Sequence, residues 1–308
     1  MSRRAVTLLE LVIVVGILGV LIGLTLGGIQ KARQASLRAD SSNRLRQIGL
    51  SLQDYESERG LWPSTPGEPL RVQIGTDGYY IDYLGRGSHF LTLYPNINPG
   101  QAAAVFHLEL SPYVNIRFPE FMDPADPTLG FKTEAYSDSH RSSYVCNWQV
   151  FGDDKRAQPQ RVTDGRSNTI AYSTRFANRC GGKVVSPTDF GVFNDLMQPK
   201  PFDSRTTFAD GGPGSSLSGR GFADPGAYPM DYPVVSAAGL PTTGSRNRTF
   251  IVTRDPEFCN YRVPTSPHPG GLLVGLCDGS VRFLGQSISQ ESFWGLVTPA
   301  AGDIANLD

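Results

Sequence analysis

The chain has 308 residues with 28 basic and 29 acidic side chains, and this near-neutral balance excludes the basic excess expected of a nucleic-acid-binding protein. Its length suits one large domain or two small ones. The 34 glycines, the 23 prolines and the low charged fraction of 19% indicate a protein rich in turns and loops.

The first predicted element is an apolar helix over residues 6–29. This run holds a single charged residue, Glu10, and as a helix it would be roughly 35 Å long, enough to cross a bilayer core of about 30 Å. A secretory signal peptide has a shorter apolar core and ends at a small-residue cleavage site, which is lacking here. We therefore expect a membrane helix that is retained.

The flanking charges bear on how this helix crosses the membrane. Arg3 and Arg4 precede the run and favour a cytoplasmic N-terminus. Lys31, Arg33 and Arg38 follow it and weaken the charge argument. On balance we expect a single pass with the N-terminus inside and the rest of the chain outside the cytoplasm.

The helix is predicted to continue beyond the membrane as an amphipathic segment over residues 30–59. Leu45, Ile48, Leu52 and Tyr55 recur at spacings of three and four residues, which places them on one helical face. This apolar stripe is expected to pack on the domain that follows.

The opening sequence RRAVTLLELVIVVGILGVLIGL resembles the processing signal and first helix of type IV pilins and type II secretion pseudopilins. The resemblance implies that prepilin peptidase removes the basic leader 1–5 by cutting between Ala5 and Val6. Val6 then becomes the methylated first mature residue, Thr7 the second and Glu10 the fifth. Ala5 and Val6 stand where the family usually has glycine and phenylalanine.

Glu10 is the residue of this segment that calls for a partner. An ionised side chain inside a bilayer costs on the order of 3 kcal/mol or more. The resemblance implies that Glu10 faces the N-terminal amine of a neighbouring subunit and sets the register between helices. The alternative is that Glu10 lies near enough to the interface to reach water by itself.

Residues 60–308 are expected to form the exported head, because short β-branched and aromatic runs alternate there with turn residues. The fold predicted for the whole chain is α+β and pilin-like: a long N-terminal helix packed on a mainly antiparallel sheet with long loops. The Gly-, Pro- and Ser-rich stretch 199–245 is predicted to be a loop insertion.

The sequence GGLLVGLCDGSVRFLG predicts a β-hairpin with Asp278 and Gly279 as a two-residue turn, in which both positions need positive φ. Together with His268, these residues give the pattern His-x9-Asp-Gly. It resembles the C-terminal signature of a large family of bacterial prepilin-like proteins of undefined function. The segments HLELSPYVN, PEFMDPADPT and VTDGRSNTIAYSTR resemble further parts of that family, with departures in the second.

Two roles are open for His268 and Asp278. Imidazole and carboxylate suit a metal site or a general base. An Asp in an Asp-Gly turn more often serves backbone geometry. We favour the structural role, with His268 bridging backbone groups beside the hairpin.

Oxygen-bearing side chains elsewhere raise the question of a calcium site. Asp164 and Asn168 could hold Ca²⁺, as could Asp123 and Asp126, although Asx turns use the same residues. We expect no cofactor, with Ca²⁺ as the weaker alternative.

Four cysteines fall in the C-terminal part, and none forms a CxxC pair, so a zinc site is poorly supported. In an exported head they are candidates for one or two disulfides, and all three full pairings stay open. They are Cys146, Cys180, Cys259 and Cys277.

The function predicted from these features is that of a structural subunit of a pilus-like or pseudopilus-like filament, in the inner membrane before assembly and with its head periplasmic or extracellular. Its expected partners are prepilin peptidase, neighbouring pilin-like subunits and the inner-membrane assembly platform. The alternative is a solitary membrane-anchored protein whose head binds a ligand or a surface. A tethered enzyme is disfavoured, because neither a G-x-S-x-G elbow nor a Walker-type loop is present.

Overall fold

The structure is a computed structural model of the full chain. The residues that it describes are 8–64, 70–74, 79–83, 89–100, 118–130, 142–152, 157–180, 183–184, 207–209, 234–235, 241–242, 250–259 and 263–300. The processing residues Ala5, Val6 and Thr7 lie outside these ranges.

The described part of the chain is a long helix followed by short strands and short helices. The helices are α1 (Leu8–Arg59), α2 (His89–Ile97), α3 (Trp148–Phe151) and α4 (Gln290–Val297). The strands are β1 (Leu70–Ile74), β2 (Tyr79–Tyr83), β3 (Tyr144–Asn147), β4 (Ile170–Thr174), β5 (Arg179–Cys180), β6 (Lys183–Val184), β7 (Thr207–Phe208), β8 (Val234–Val235), β9 (Pro241–Thr242), β10 (Ile251–Val252), β11 (Thr265–Ser266), β12 (Gly271–Leu276) and β13 (Val281–Gly285).

Helix α1 is continuous through both halves that the sequence distinguishes. It runs for 52 residues, which corresponds to about 78 Å. The predicted stripe of Leu45, Ile48, Leu52 and Tyr55 is buried, with at most 3% of any of these side chains exposed. The prediction of a helix that continues beyond the apolar run and packs on the head is therefore confirmed.

The main sheet has the strand order β13-β12-β4-β3-β7. The first four strands pair antiparallel, and the two-residue strand β7 joins β3 in parallel. The pairing of β12 with β4 shifts register between Gly275 and Leu276. Because a long helix precedes a mainly antiparallel sheet, the α+β prediction is confirmed.

Smaller strand pairs surround the main sheet. β1 pairs with β2, β5 with β6 and β8 with β9, all antiparallel, whereas β10 and β11 pair in parallel. Within the predicted insertion 199–245, β7 reaches the edge of the main sheet, and Phe208 is only 4% exposed. Part of that stretch therefore contributes to the core.

The main sheet carries a core on each face because side chains alternate along its strands. On β12, Leu273 belongs to the core shared with α1 and α2, whereas Leu272 and Val274 belong to the core under α4. Phe293 and Leu296 of α4 close this second core. The head thus has a core that does not depend on α1, and α1 covers the opposite face.

The predicted hairpin is confirmed, but its turn differs from the prediction. Gly279 has φ of 79°, and Asp278 is not among the described residues with positive φ. The Leu276 amide donates to the Ser280 carbonyl, and the Gly279 amide donates to the Leu276 carbonyl. This is a three-residue loop, in which a type I turn is followed by one left-handed residue, so only the glycine requires positive φ.

Helix α1 meets this turn through a close contact of two backbones. A Cβ placed on Gly49 would lie 2.8 Å from the Cα of Gly279, closer than van der Waals contact allows. The absence of a side chain at position 49 therefore lets the helix lie directly on the hairpin.

This contact predicts an unusual response to a substitution that normally stabilises helices. Gly→Ala in a helix interior is ordinarily stabilising by about 1 kcal/mol. Gly49→Ala should instead lower the free energy of unfolding by about 1–3 kcal/mol, because the added methyl group forces α1 away from the turn. Urea denaturation of the detergent-solubilised full chain, followed by tryptophan fluorescence, measures the change.

Gly28→Ala in the same helix is the matched control, since a Cβ there meets nothing within 4 Å. It should leave the unfolding free energy unchanged or slightly increased. A stabilising effect of Gly49→Ala would contradict the close approach of α1 to the hairpin.

Candidate functional site

The N-terminal half of α1 projects from the head with its apolar side chains exposed. Within the helix lies an 18-residue window of membrane-spanning apolarity, none of which is buried. Leu18 is 50% exposed and Leu24 73%. Glu10 lies in the first turn of the described helix. By length and composition this segment can cross a membrane once.

The C-terminal half of α1 is attached to the head, and the first attachment surrounds His268. Arg38 donates a hydrogen bond of 2.8 Å to the carbonyl of Pro269, and its guanidinium lies 4.2 Å from the ring centre of Phe283. His268 Nε2 lies 3.5 Å from Asp123 Oδ2, and both side chains are 99% buried. Neither atom has a hydrogen-bond partner among the residues that the structure describes.

Asp123 connects His268 to α1. Its Oδ1 accepts hydrogen bonds from Ser41 Oγ of α1, at 2.5 Å, and from the Ala125 amide, at 2.8 Å. Arg44, one turn further along α1, donates to the carbonyls of Pro119 and Met122. The helix is thus held to the segment that precedes Asp123 as well as to Asp123 itself.

Asp126, three residues later, fixes the other side of the same segment. Its carboxylate accepts hydrogen bonds from Ser143 Oγ at 2.7 Å, from Thr128 Oγ1 at 2.6 Å and from the Ala177 amide at 2.8 Å. Burial raises the pKa of Asp126, and these hydrogen bonds oppose the rise. Asp123 and Asp126 therefore serve as internal hydrogen-bond acceptors.

The second attachment is the hairpin turn. Asp278 Oδ1 accepts hydrogen bonds from the Ser280 amide, at 2.9 Å, and from Ser280 Oγ, at 2.6 Å, while the Asp278 carbonyl accepts one from the Gln53 side chain of α1. His268 and Asp278 lie beyond opposite ends of β12, a strand of about 20 Å. The structure does not bring them together, and His268 contacts Asp123 instead.

The third attachment lies at the end of α1. Arg166 makes two hydrogen bonds to the Glu56 carboxylate, at 3.0 and 2.9 Å, and its guanidinium lies 5.5 Å from the ring centre of Trp62. Trp62 Nε1 donates to the same carboxylate at 2.9 Å. Arg166 comes from the segment VTDGRSNT, so this segment too is held against the helix.

The calcium candidates Asp164 and Asn168 take part in the turn of that segment. Asn168 Nδ2 donates to the Asp164 carbonyl at 3.4 Å, and Gly165 between them has φ of 98°. Across the described ranges, no three His, Cys, Asp or Glu side chains come together as a metal site.

Of the four cysteines, the structure joins Cys180 and Cys259 in a disulfide. Both are buried and contact Phe176. Cys146 and Cys277 keep buried thiols, and burial raises the pKa of the Cys277 thiol.

His89 is a buried histidine that the sequence gave no reason to select. Its Nδ1 lies 2.8 Å from the carbonyl of Pro63 and its Nε2 2.7 Å from the Tyr172 hydroxyl. Because a carbonyl can only accept, Nδ1 carries the hydrogen and Nε2 accepts from Tyr172. Burial lowers the pKa of His89 to about 3. No spacing signal could have found it, since its partners lie 26 and 83 residues away.

The attachment around His268 predicts a large effect of removing the imidazole. His268→Ala would leave the Asp123 carboxylate buried beside a cavity, and should lower the free energy of unfolding by about 3–5 kcal/mol. Asp278→Asn is the contrasting variant, because it keeps the backbone carbonyl and a side-chain oxygen. It should change the unfolding free energy by less than about 1 kcal/mol.

Urea denaturation of the full chain in detergent measures the change in unfolding free energy of both variants. A double-mutant cycle with Asp123→Asn isolates the interaction between the two side chains. Additive effects of His268→Ala and Asp123→Asn would refute their coupling.

His89 predicts a dependence of stability on pH. Its folded pKa of about 3 lies below the ordinary value of 6.5, so the unfolded chain binds the proton first as the pH falls. The contribution of neutral His89 to stability is complete above pH 6.5 and declines by about 1.4 kcal/mol per pH unit towards pH 3.

The stability difference between the parent chain and His89→Gln should therefore shrink between pH 6 and pH 4. Urea denaturation across this range measures it. Parallel stability curves for the two proteins would contradict the burial of a neutral imidazole at this position.

Comparison with known proteins is consistent with this architecture. The protein-family model described as "Protein of unknown function (DUF1559)" matches residues 30–291. No curated protein and no solved structure matches the chain. The matched region includes the attached half of α1 and all three attachments, and the family is typical of prepilin-like proteins. The chain therefore belongs to the DUF1559 family.

Proposed function

We propose that this protein is a structural subunit of a type IV pilus-like or type II secretion pseudopilus-like filament, assembled through the N-terminal half of α1. The observation that carries the proposal is the continuity of α1. One uninterrupted helix has an exposed apolar half, suited to lipid or to neighbouring helices, and a half attached to the head. The activity proposed is polymerisation rather than catalysis.

The attachments give this helix a mechanical role. Force applied to the apolar half passes to the head through the contacts of Arg38, Ser41, Gly49, Gln53 and Glu56. Such contacts, spread over about 27 Å of helix, resist bending of the helix away from the head. A subunit drawn from the membrane into a fibre needs this rigid coupling.

Glu10 is proposed to set the register during assembly. A carboxylate in the apolar segment is costly in lipid unless a positive charge lies beside it. Cleavage between Ala5 and Val6 by prepilin peptidase would create a new N-terminal amine on Val6, two residues before the first described residue of α1. In a bundle of parallel helices, that amine on one subunit can neutralise Glu10 on the next.

The proposed location is the inner membrane before assembly, with the N-terminus in the cytoplasm and the head outside. The disulfide between Cys180 and Cys259 supports an exported head, because disulfides persist in oxidising compartments. In that arrangement the assembly platform would act on the membrane half of α1.

The test uses the full chain in cells that hold prepilin peptidase. Mass spectrometry of the N-terminus should find methylated Val6, and Glu10→Ala should reduce the protein in the sheared-filament fraction at least about tenfold. A loss of roughly 3 kcal/mol for an unpaired charge allows an effect of that size. The variant should remain processed, folded and in the membrane.

Thr25→Ala is the matched control in the same apolar segment. Thr25 Oγ1 donates to the Ile22 carbonyl of its own helix, so its removal should not affect assembly. Normal incorporation of Glu10→Ala, or an intact Met1, would refute the filament proposal and favour a solitary anchored protein.

A further inference from the structure

The solvent-facing side of α1 above the membrane has a charge pattern that its attachment to the head does not use. Asn43, Arg46, Leu50, Asp54 and Glu58 are exposed and recur at spacings of three and four residues, so they lie on one face. We call this the outer face. It lies opposite the buried stripe formed by Leu45, Ile48, Leu52 and Tyr55.

The charged side chains of the outer face are exposed and have no oppositely charged partner among the described residues. Asp54 and Glu58 are four residues apart, a spacing at which like charges destabilise a helix. Arg46 makes no ion pair with any residue in the described ranges, and neither does Asp54 or Glu58. Leu50, between Arg46 and Asp54, is 48% exposed.

We propose that the outer face binds a second copy of this chain, aligned in parallel and displaced along the helix axis. In this arrangement Arg46 of one copy lies against Asp54 of the other, with Glu58 one turn beyond, and each Leu50 adds apolar surface to the contact. The inference rests on the proposed function, which supplies the parallel bundle, and adds the surface and register of contact between heads.

The required displacement follows from helix geometry. Arg46 and Asp54 are eight residues apart in sequence, which corresponds to about 12 Å along the axis. Glu10 and the proposed new N-terminus at Val6 are separated by about 6 Å. An intermediate displacement of about 9 Å leaves each pair about 3 Å from its own optimum, a difference that the Glu10 and Arg46 side chains can span. In both pairs the positively charged group belongs to the copy that is displaced towards the C-terminal end of α1.

The position of the outer face excludes lipid as its ligand. Arg46 follows Ile29, the end of the apolar run, by 17 residues, or about 25 Å of helix. The headgroup layer on each side of a bilayer is only roughly 6 Å thick. A second copy of α1 presents oppositely charged side chains at this distance from the membrane, and every subunit carries the same set.

Cysteine cross-linking tests the register directly. The full chain with Arg46→Cys and Asp54→Cys, oxidised in native membranes and in sheared filaments, should give a ladder of covalent multimers on non-reducing gels. Arg46→Cys alone and Asp54→Cys alone should give no ladder, since each chain then has one introduced thiol. Arg46→Cys with Asn43→Cys, on the same face but at a separation of about 4.5 Å, should give none either.

Charge reversal tests the chemistry. Arg46→Glu should lower incorporation into filaments about two- to fivefold, the effect expected for exposed ion pairs. Adding Asp54→Lys and Glu58→Lys to Arg46→Glu should restore it, because the pairing is then reversed but complete. N-terminal processing of every variant should match that of the parent chain.

The outcomes separate this inference from the proposed function. Filaments that form normally with Arg46→Glu, or that give no ladder with the 46/54 pair, would overturn the inference and leave the filament function standing. A chain that forms no multimers at all and tolerates Glu10→Ala would overturn both. A ladder in the 46/54 pair, together with rescue by charge reversal, would establish the outer face as the contact between copies.

Discussion

The architecture depends on how closely α1 lies on the hairpin turn that contains Asp278 and Gly279. Gly49 and Gly279 meet with no side chain between them: a Cβ on Gly49 would lie 2.8 Å from the Cα of Gly279, and a Cβ on Gly279 would meet the side-chain amide of Gln53. This closeness brings Gln53 within reach of the Asp278 carbonyl and lets Leu45 and Leu52 enter the core. Because the apolar N-terminal half of the same helix is exposed, α1 is attached to the head only through its C-terminal half, and there through one face.

The C-terminal half of α1 belongs to the core of the head, while the N-terminal half of α1 is exposed. The core under α4, with Val145, Leu272 and Phe293, involves no residue of α1. The opposite core is completed by Leu45 and Ile48. The polar contacts of α1 lie beside its buried apolar stripe. They set the position of the helix on the head, while burial of the apolar side chains supplies most of the stabilisation.

The sequence predicted what short-range periodicity can encode. The spacing of Leu45, Ile48, Leu52 and Tyr55 predicted the amphipathic half of α1, and the two apolar runs that flank Asp278-Gly279 predicted the hairpin. Contacts between distant segments carry no local signal. The His-x9-Asp-Gly spacing relates His268 to Asp278, ten residues away, whereas the structure places His268 against Asp123, 145 residues away in sequence. The three-residue turn was missed because Asp-Gly serves both two-residue and three-residue hairpin loops.

HLELSPYVN lies outside the described residues, but three other segments that resemble prepilin-like proteins share a physical property that their sequences do not reveal. The segment with Asp123 contacts Ser41 of α1, and the segment with Arg166 contacts Glu56. The hairpin turn contacts Gly49 and Gln53. All three therefore contact α1 along one side. Ligand-binding residues would be expected to converge on a cleft open to solvent, whereas Asp123 and His268 are 99% buried against the helix. The common requirement that explains this pattern is to hold a long helix firmly, and a subunit pulled from a membrane by that helix has such a requirement.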